Sequence, residues 1–247
     1  MIRLGESNRA LRTFEGYRTF TQKKTQDESG KTSIRLASSE AMFRSGNTVD
    51  VSWLPFAAEQ YLISADINDY VICDIPIVHV DIPNRNMDAF PLDEVSRFDP
   101  ATGRMVYQSF IGKPTHQDHD NKNPERAKGV IFDASMAKIH GTDRYAIRIL
   151  AGFDRTKDRQ LADQILSGKR PQHSMGCLVQ FSQCSYPGCQ ATSTTGKIRC
   201  AHMDGGTGKG RIVNGQLVYE LCRSCTYIES SSVDDAADFH AVQTFSK

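Results

Sequence analysis

Residues 173–181, HSMGCLVQF, constrain the fold of this chain more tightly than any other stretch. Side chains of a β-strand alternate between faces, so Met175, Cys177, Val179 and Phe181 fall on one side, Ser174 and Gly176 on the other. A serine at the head of such a strand, with a glycine two residues on, leaves its hydroxyl unshielded. Further β-forming runs surround it: YVICDIPIVHVDIPN (70–84), then GVIFDASMAKI (129–139) and YAIRILAGF (145–153), the last two separated by a turn-forming HGTD. TYIESSSV (226–233) reads as a final strand, and Asn214-Gly215 between β-formers predicts a hairpin. Helical spacing is confined to RTKDRQLADQILSGKR (155–170), where Leu161 and Ile165, and Ala162 and Leu166, stand four apart before Gly168. Asp93 and Glu94 suit the start of one short helix in the connector that follows the first strand. The pattern predicts a mainly β (α+β) fold with few helices.

A chain of 247 residues is long enough to bury one good core with a small satellite. Thirty basic residues against 29 acidic ones leave a net charge of +1, so nothing in the balance calls for a nucleic-acid partner. No apolar run approaches the roughly 18 residues of a membrane span, and MIRLGESNRALRTFEGYRTF has no apolar signal core, which argues for a reducing compartment. Residues 1–40 carry polar and basic side chains without periodicity and read as a flexible arm.

Five of the seven cysteines fall within the 42 residues from Cys184 to Cys225, whereas Cys73 and Cys177 lie in apolar strands as core residues. In a reducing compartment such clustering points to metal before disulfides. Cys184 with Cys189, Cys200 with His202, and Cys222 with Cys225 form short paired spacings that suit tetrahedral zinc, here structural Zn2+ ordering a polar segment. These are six ligands where one ion needs four. The spacing admits an all-thiolate set of Cys184, Cys189, Cys222 and Cys225.

A serine hydroxyl is a weak nucleophile until a base takes its proton, and imidazole is the usual base. His119, within PTHQDHDN (114–121), is the candidate base for Ser174. Asp118 and Asp120 adjoin it in sequence and so point away from it along a strand. The group that orients the imidazole is therefore expected elsewhere, and Glu229 is the choice, sharing a face with Tyr227 and Ser231. Two other readings stand beside this one: a metal hydrolase built on His116, Asp118, His119 and Asp120, and a noncatalytic assembly protein that uses the cysteine module for contacts.

Several segments, in their order, resemble the prohead (head maturation) serine proteases of tailed bacteriophages, whose core is similar to herpesvirus assemblin. They are DIPNRNMDAFPLDEV (81–95), FIGKPTHQDHDNKNPERAKGVIFDA (110–134), IRILAGFDRTKDRQLADQILSGKRPQHSMGC (147–177) and YIESSSVDDAADFHA (227–241). The resemblance implies a closed or partly closed β-barrel over 41–183 and 226–241, a zinc-knuckle insertion at 184–225 and a tail at 242–247. It places the nucleophile on Ser174, the base on His119 and the acid on Glu229 within ESSSV, and zinc ligands on Cys184, Cys189, Cys200 and His202. This chain departs from the usual pattern with Ala236-Ala237 where Pro-Ala commonly stands, and with four residues between Cys184 and Cys189 where two are usual. The implied substrates are phage scaffold (core) and major capsid proteins, cut in the host cytoplasm inside the assembling prohead, and a homodimer is expected because herpesvirus relatives dimerise. Some phage relatives prefer glutamate after Leu-x, a pattern met by Leu4-Gly5-Glu6 and Leu92-Asp93-Glu94, so self-cleavage is also expected.

Overall fold

The computed structural model describes residues 24–26, 32–35, 48–139, 141–203 and 208–243. The stretch read as an arm, 1–40, therefore lies outside the described residues apart from two strands, as do residues 244–247 of the tail. Strands β1 (Lys24–Gln26), β2 (Thr32–Arg35) and β3 (Thr48–Asp50) pair antiparallel in that order. Helix α1 (Leu54–Tyr61) follows, ended by Leu62 in the left-handed conformation at φ 53°.

The main sheet begins with β4 (Tyr70–His79), ten residues buried along their whole length. Pro76 in its middle removes a backbone donor, which a strand tolerates at a sheet edge or a bulge. Both conditions hold, because β4 ends the sheet and its register with β10 slips beside Pro76. The connector carries β5 (Asp88–Ala89), α2 (Leu92–Val95, with Asp93 and Glu94 in its first turn) and the hairpin of β6 (Phe98–Asp99) and β7 (Arg104–Met105). Next come β8 (Pro114–Gln117) and the antiparallel β9 (Gly129–Lys138) and β10 (Tyr145–Asp154). Helix α3 (Arg159–Leu166) is capped by Asp158, whose carboxylate accepts the Leu161 amide, and gives way to Gly168 at φ 73°. It delivers the chain into β11 (Gln172–Cys184).

Between β11 and the last long strand lie β12 (Thr192–Ser193) and the hairpin of β13 (Ile212–Val213) and β14 (Gln216–Leu217). Asn214 and Gly215 turn that hairpin with φ 50° and 77°, the mirror-image turn that suits strand twist. Strand β15 then runs unbroken from Glu220 to Val233. Cys222 and Cys225, assigned on sequence to the insertion, thus belong to the strand that also carries Glu229.

The resulting eight-stranded mixed sheet, in the order β12-β11-β15-β8-β9-β10-β4 with β5 beside β15, is strongly curled into a half-barrel. With three short α-helices among the described residues, the fold is mainly β (α+β), as the sequence predicts. Its concave core gathers Ile75 and Ile77 of β4, Ile147 and Ile149 of β10, and Tyr227 of β15, closed by Leu161, Ala162 and Ile165 of α3. The opposite face of β4, β9 and β10 packs Ile72, Val130, Phe132 and Leu150 against α1. No helix among the described residues is long and apolar enough to cross a membrane.

An enclosed ion pair crosses neighbouring strands: an Arg148 Nη lies 2.6 Å from an Asp74 Oδ, with the side chains 1% and 0% exposed. Removing one member of such a pair strands the other charge away from water. Arg148→Met is accordingly expected to cost about 3–5 kcal/mol, read as a fall in the urea midpoint, with the joint Arg148→Met, Asp74→Leu change costing less than the single one.

Candidate functional site

The sheet order brings the three singled-out residues onto three neighbouring strands. Ser174 lies on β11, Glu229 on β15, and His119 just beyond the end of β8, and β15 stands between the other two. In the antiparallel ladder Ser174 faces Ser231 and Gly176 faces Glu229, while Ser231 also faces His116 of β8. Residues directly opposite share a face, which sets Ser174 and Glu229 diagonally on adjacent strands.

Gly176 has a steric duty here. A Cβ at that position would sit 2.7 Å from Glu229 Oε1 and 2.8 Å from its Cγ, so the carboxylate occupies the space a side chain would need. The strand itself departs from the regular alternation expected of HSMGCLVQF, because a bulge falls between Gly176 and Cys177. Beyond it the buried positions shift to Ser182 and Cys184, and Leu178, Val179 and Gln180 are exposed.

His119 is presented by a strained turn. Asp118 and His119 both adopt positive φ, 51° and 57°, a region that costs non-glycine residues about 1–2 kcal/mol each. The turn is held from both sides: the Asp118 amide donates to Ser232 O at 3.0 Å, and Arg170 reaches Asp118 Oδ1 at 2.6 Å, Ser232 Oγ at 3.2 Å and Asp234 Oδ1 at 3.0 Å. His119 Nδ1 then lies 2.8 Å from Glu229 Oε1, with the imidazole 43% exposed and the carboxylate 1% exposed. Ser231 Oγ donates to Glu229 Oε2 at 2.6 Å and accepts the His119 amide at 3.2 Å. With Nδ1–H given to Glu229, the Nε2 lone pair is the free base. His119 and Ser174 line the same cavity of about 470 Å³.

Three imidazoles near this site are shifted, in different directions. His173 is fully enclosed and its pKa drops to about 4, and His116 is also lowered by burial. His119 alone is raised, first by its hydrogen bond to Glu229 and then by the charges of Glu229 and Asp118, against an opposing effect of burial. The HQDHD run does not converge as a metal site. Asp118 is committed to Arg170, Asp120 pairs with Arg126, and His116 is buried, its Nδ1 without a partner among the described residues.

Sequence reasoning missed Arg170 and a second imidazole–carboxylate pair in the cavity wall, His79 Nδ1 to Asp238 Oδ2 at 2.9 Å. Neither carries a local signal, since Arg170 reads as the basic end of a helix and His79 as a strand terminus. Of the self-processing sequences, Leu4-Gly5-Glu6 lies outside the described residues. Leu92-Asp93-Glu94 is helical, and Glu94 is buried while accepting the Cys225 amide at 2.9 Å.

The second site lies at the far end of β11. Cys184, Cys189, Cys200 and His202 bring their ligand atoms within 4.8 Å of one another, a Cys3His group that could hold a metal ion. Cys184 Sγ lies 4.0 Å from His202 Nδ1, close to the edge of a tetrahedron around an ion with bonds of roughly 2.0–2.3 Å. Tyr186 stacks on the His202 ring at 3.9 Å, and Asn214 donates to the Tyr186 hydroxyl at 3.0 Å, which ties the hairpin to the ligand. Cys222 and Cys225 are not part of this group. They sit in the main core, so the all-thiolate set is not assembled.

No family model, curated protein or solved structure matches this chain.

Two measurements test the geometry. Elemental analysis of the purified chain is expected to find about one metal equivalent, lost in Cys200→Ser and His202→Ala and retained in Cys222→Ser and Cys225→Ser. By NMR titration His119 is expected to ionise above the ordinary 6.5, and both Glu229→Gln and Gly176→Ala should lower that value by removing or displacing the carboxylate. Because the pKa is raised in the folded state, this pair stabilises the protein below the unfolded value, and the contribution is lost as pH rises through the raised one.

Proposed function

We propose that the protein is a serine endopeptidase in which Ser174 is the nucleophile, His119 the base and Glu229 the group that orients it. The observation that carries the reading is the 2.8 Å contact between His119 Nδ1 and a buried Glu229 carboxylate, on the strand paired with that of Ser174. Burial makes the carboxylate an effective orienter, because little water competes for it. The imidazole's exposure leaves Nε2 accessible from the shared cavity.

In the proposed reaction His119 Nε2 takes the proton of Ser174 as Oγ adds to a peptide carbonyl. The imidazolium, stabilised by Glu229, then returns that proton to the departing amine and an acyl-enzyme remains. Water attacks the ester with His119 again acting as base, the acid product leaves, and Ser174 regains its proton. The substrate chain is placed along the edge of β11. Among the described residues this edge is paired at Ser182 and Gln183 with β12 and at Gln172 with Val242, where the His173 amide also donates to Ala241 O, and the stretch from Ser174 to Phe181 is the part proposed to meet an extended peptide.

The substrate class proposed is the scaffold and capsid proteins of a bacteriophage head, cut inside an immature shell. It rests on the resemblance of the ordered segments to prohead proteases. The metal is proposed to be zinc, since three thiolates and one imidazole suit that ion. Bound there, it supplies folding energy rather than chemistry, with all four ligands from the protein and the site remote from Ser174. A homodimer and self-cleavage belong to the same proposal.

Intact mass of a scaffold or capsid protein co-expressed with the chain tests the reading. Cleavage is expected with wild type and is abolished, by at least a thousandfold, in Ser174→Ala with fold and metal content unchanged. Equal masses in the presence of assembled shells would favour a noncatalytic assembly role. Activity is expected to rise with pH through the raised pKa of His119, since the base must be neutral.

A further inference from the structure

Ser231 lies between the two groups proposed to run the reaction, yet nothing in its position along the strand marks it out. Its hydroxyl is fully buried. A serine hydroxyl has one proton to give, and the 2.6 Å contact commits it to Glu229 Oε2. An oxygen lone pair remains, and the His119 backbone amide occupies it at 3.2 Å. The same histidine gives its ring Nδ1–H to the other carboxylate oxygen at 2.8 Å. A closed ring of hydrogen bonds results: amide to hydroxyl, hydroxyl to carboxylate, imidazole to carboxylate.

We infer that Ser231 is a positioning residue of the catalytic centre, which grips His119 by its backbone while steering the carboxylate that grips its ring. The inference rests on the protease reading and extends it. His119 stands at φ 57° and Asp118 beside it at φ 51°, in a turn closed by the Asp120 amide on Gln117 O at 3.0 Å, and partners outside the turn fix where it sits against the sheet. Arg170 secures the Asp118 side, and Ser231 secures the His119 amide. The second carboxylate contact also fixes the rotation of Glu229, which a single hydrogen bond to the imidazole leaves free. Losing the hydroxyl frees both ends of the ring together. The ring nitrogen facing the cavity then moves, and a displacement of about 1 Å at a reacting group can cost roughly a hundredfold in rate.

Ser230 supplies an internal control. It adjoins Ser231 on β15, is equally buried, and its hydroxyl has no hydrogen-bond partner among the described residues. Ser230→Ala therefore removes a hydroxyl from the same strand without touching the ring. The experiment compares wild type, Ser231→Ala, Ser231→Thr and Ser230→Ala, using p-nitrophenyl acetate turnover and the low-field NMR resonance of the His119 Nδ1 proton. Thermal melting and bound metal report the fold.

In Ser231→Ala kcat is expected to fall roughly 10- to 100-fold at little-changed KM, with the Nδ1 resonance broadened or lost and metal content retained. Ser231→Thr, which restores a hydroxyl, should recover part of the rate and the resonance. Ser230→Ala should match wild type. Equal losses in Ser230→Ala and Ser231→Ala, or an unchanged resonance in Ser231→Ala, would overturn the inference. A wild type inert toward the ester would sink the protease reading instead, and the resonance would still decide whether Ser231 holds His119.

Discussion

The antiparallel ladder between β11 and β15 is the constraint on which the rest depends. It opposes Ser174 to Ser231 and Gly176 to Glu229 at one end, and Cys184 to Glu220 at the other. Side-chain direction in a strand has a period of two, so a slip of one residue would turn Ser174 to the opposite face from Glu229. Register is pinned by features that tolerate no slip: the missing Cβ of Gly176 under the carboxylate, the bulge beside it, and the Cys3His group where β11 ends.

Two kinds of polar burial serve different purposes in this sheet. Arg148 and Asp74 pair inside the wall, with side chains 1% and 0% exposed, and their work is structural. Around Glu229 the buried charge is only partly compensated, by one imidazole that reaches solvent and one hydroxyl that does not. The hydrogen bond to Glu229 raises the pKa of His119, while burial lowers those of His116 and His173. The sheet sets these three imidazoles apart by giving one a hydrogen bond to a buried carboxylate and enclosing the other two.

Features set by neighbours in sequence were legible, and those set by partners far along the chain were not. The β9–β10 hairpin, α3 and the Asn214-Gly215 turn each announce themselves through turn residues, a capping aspartate or apolar spacing. The bulge at Gly176 left no such trace, since the alternation of Met175, Cys177, Val179 and Phe181 reads the same with or without it. The start of β15 at Glu220 was hidden by Arg223 and Ser224, the latter at φ 50° inside the strand. Spacing could not choose among six metal-ligand candidates because a CxxC pair looks alike whether it meets an ion or a core. The contacts of Arg170 with Ser232 and of His79 with Asp238 span 62 and 159 residues, distances over which pattern says nothing.

The pairing of Cys184 with Glu220 has an architectural consequence. Apart from β12, which pairs back onto β11, the described residues between 185 and 219 stand outside the sheet, and the chain returns to it at the adjoining rung of the same ladder, where a tight turn would also have closed it. Such a detour is topologically neutral: residues added beyond the Cys3His ligands leave the rungs at Ser174 and Glu229 where they are. The appendage can thus grow, and change what it touches, while the Cys3His group that ends β11 keeps the ladder in register.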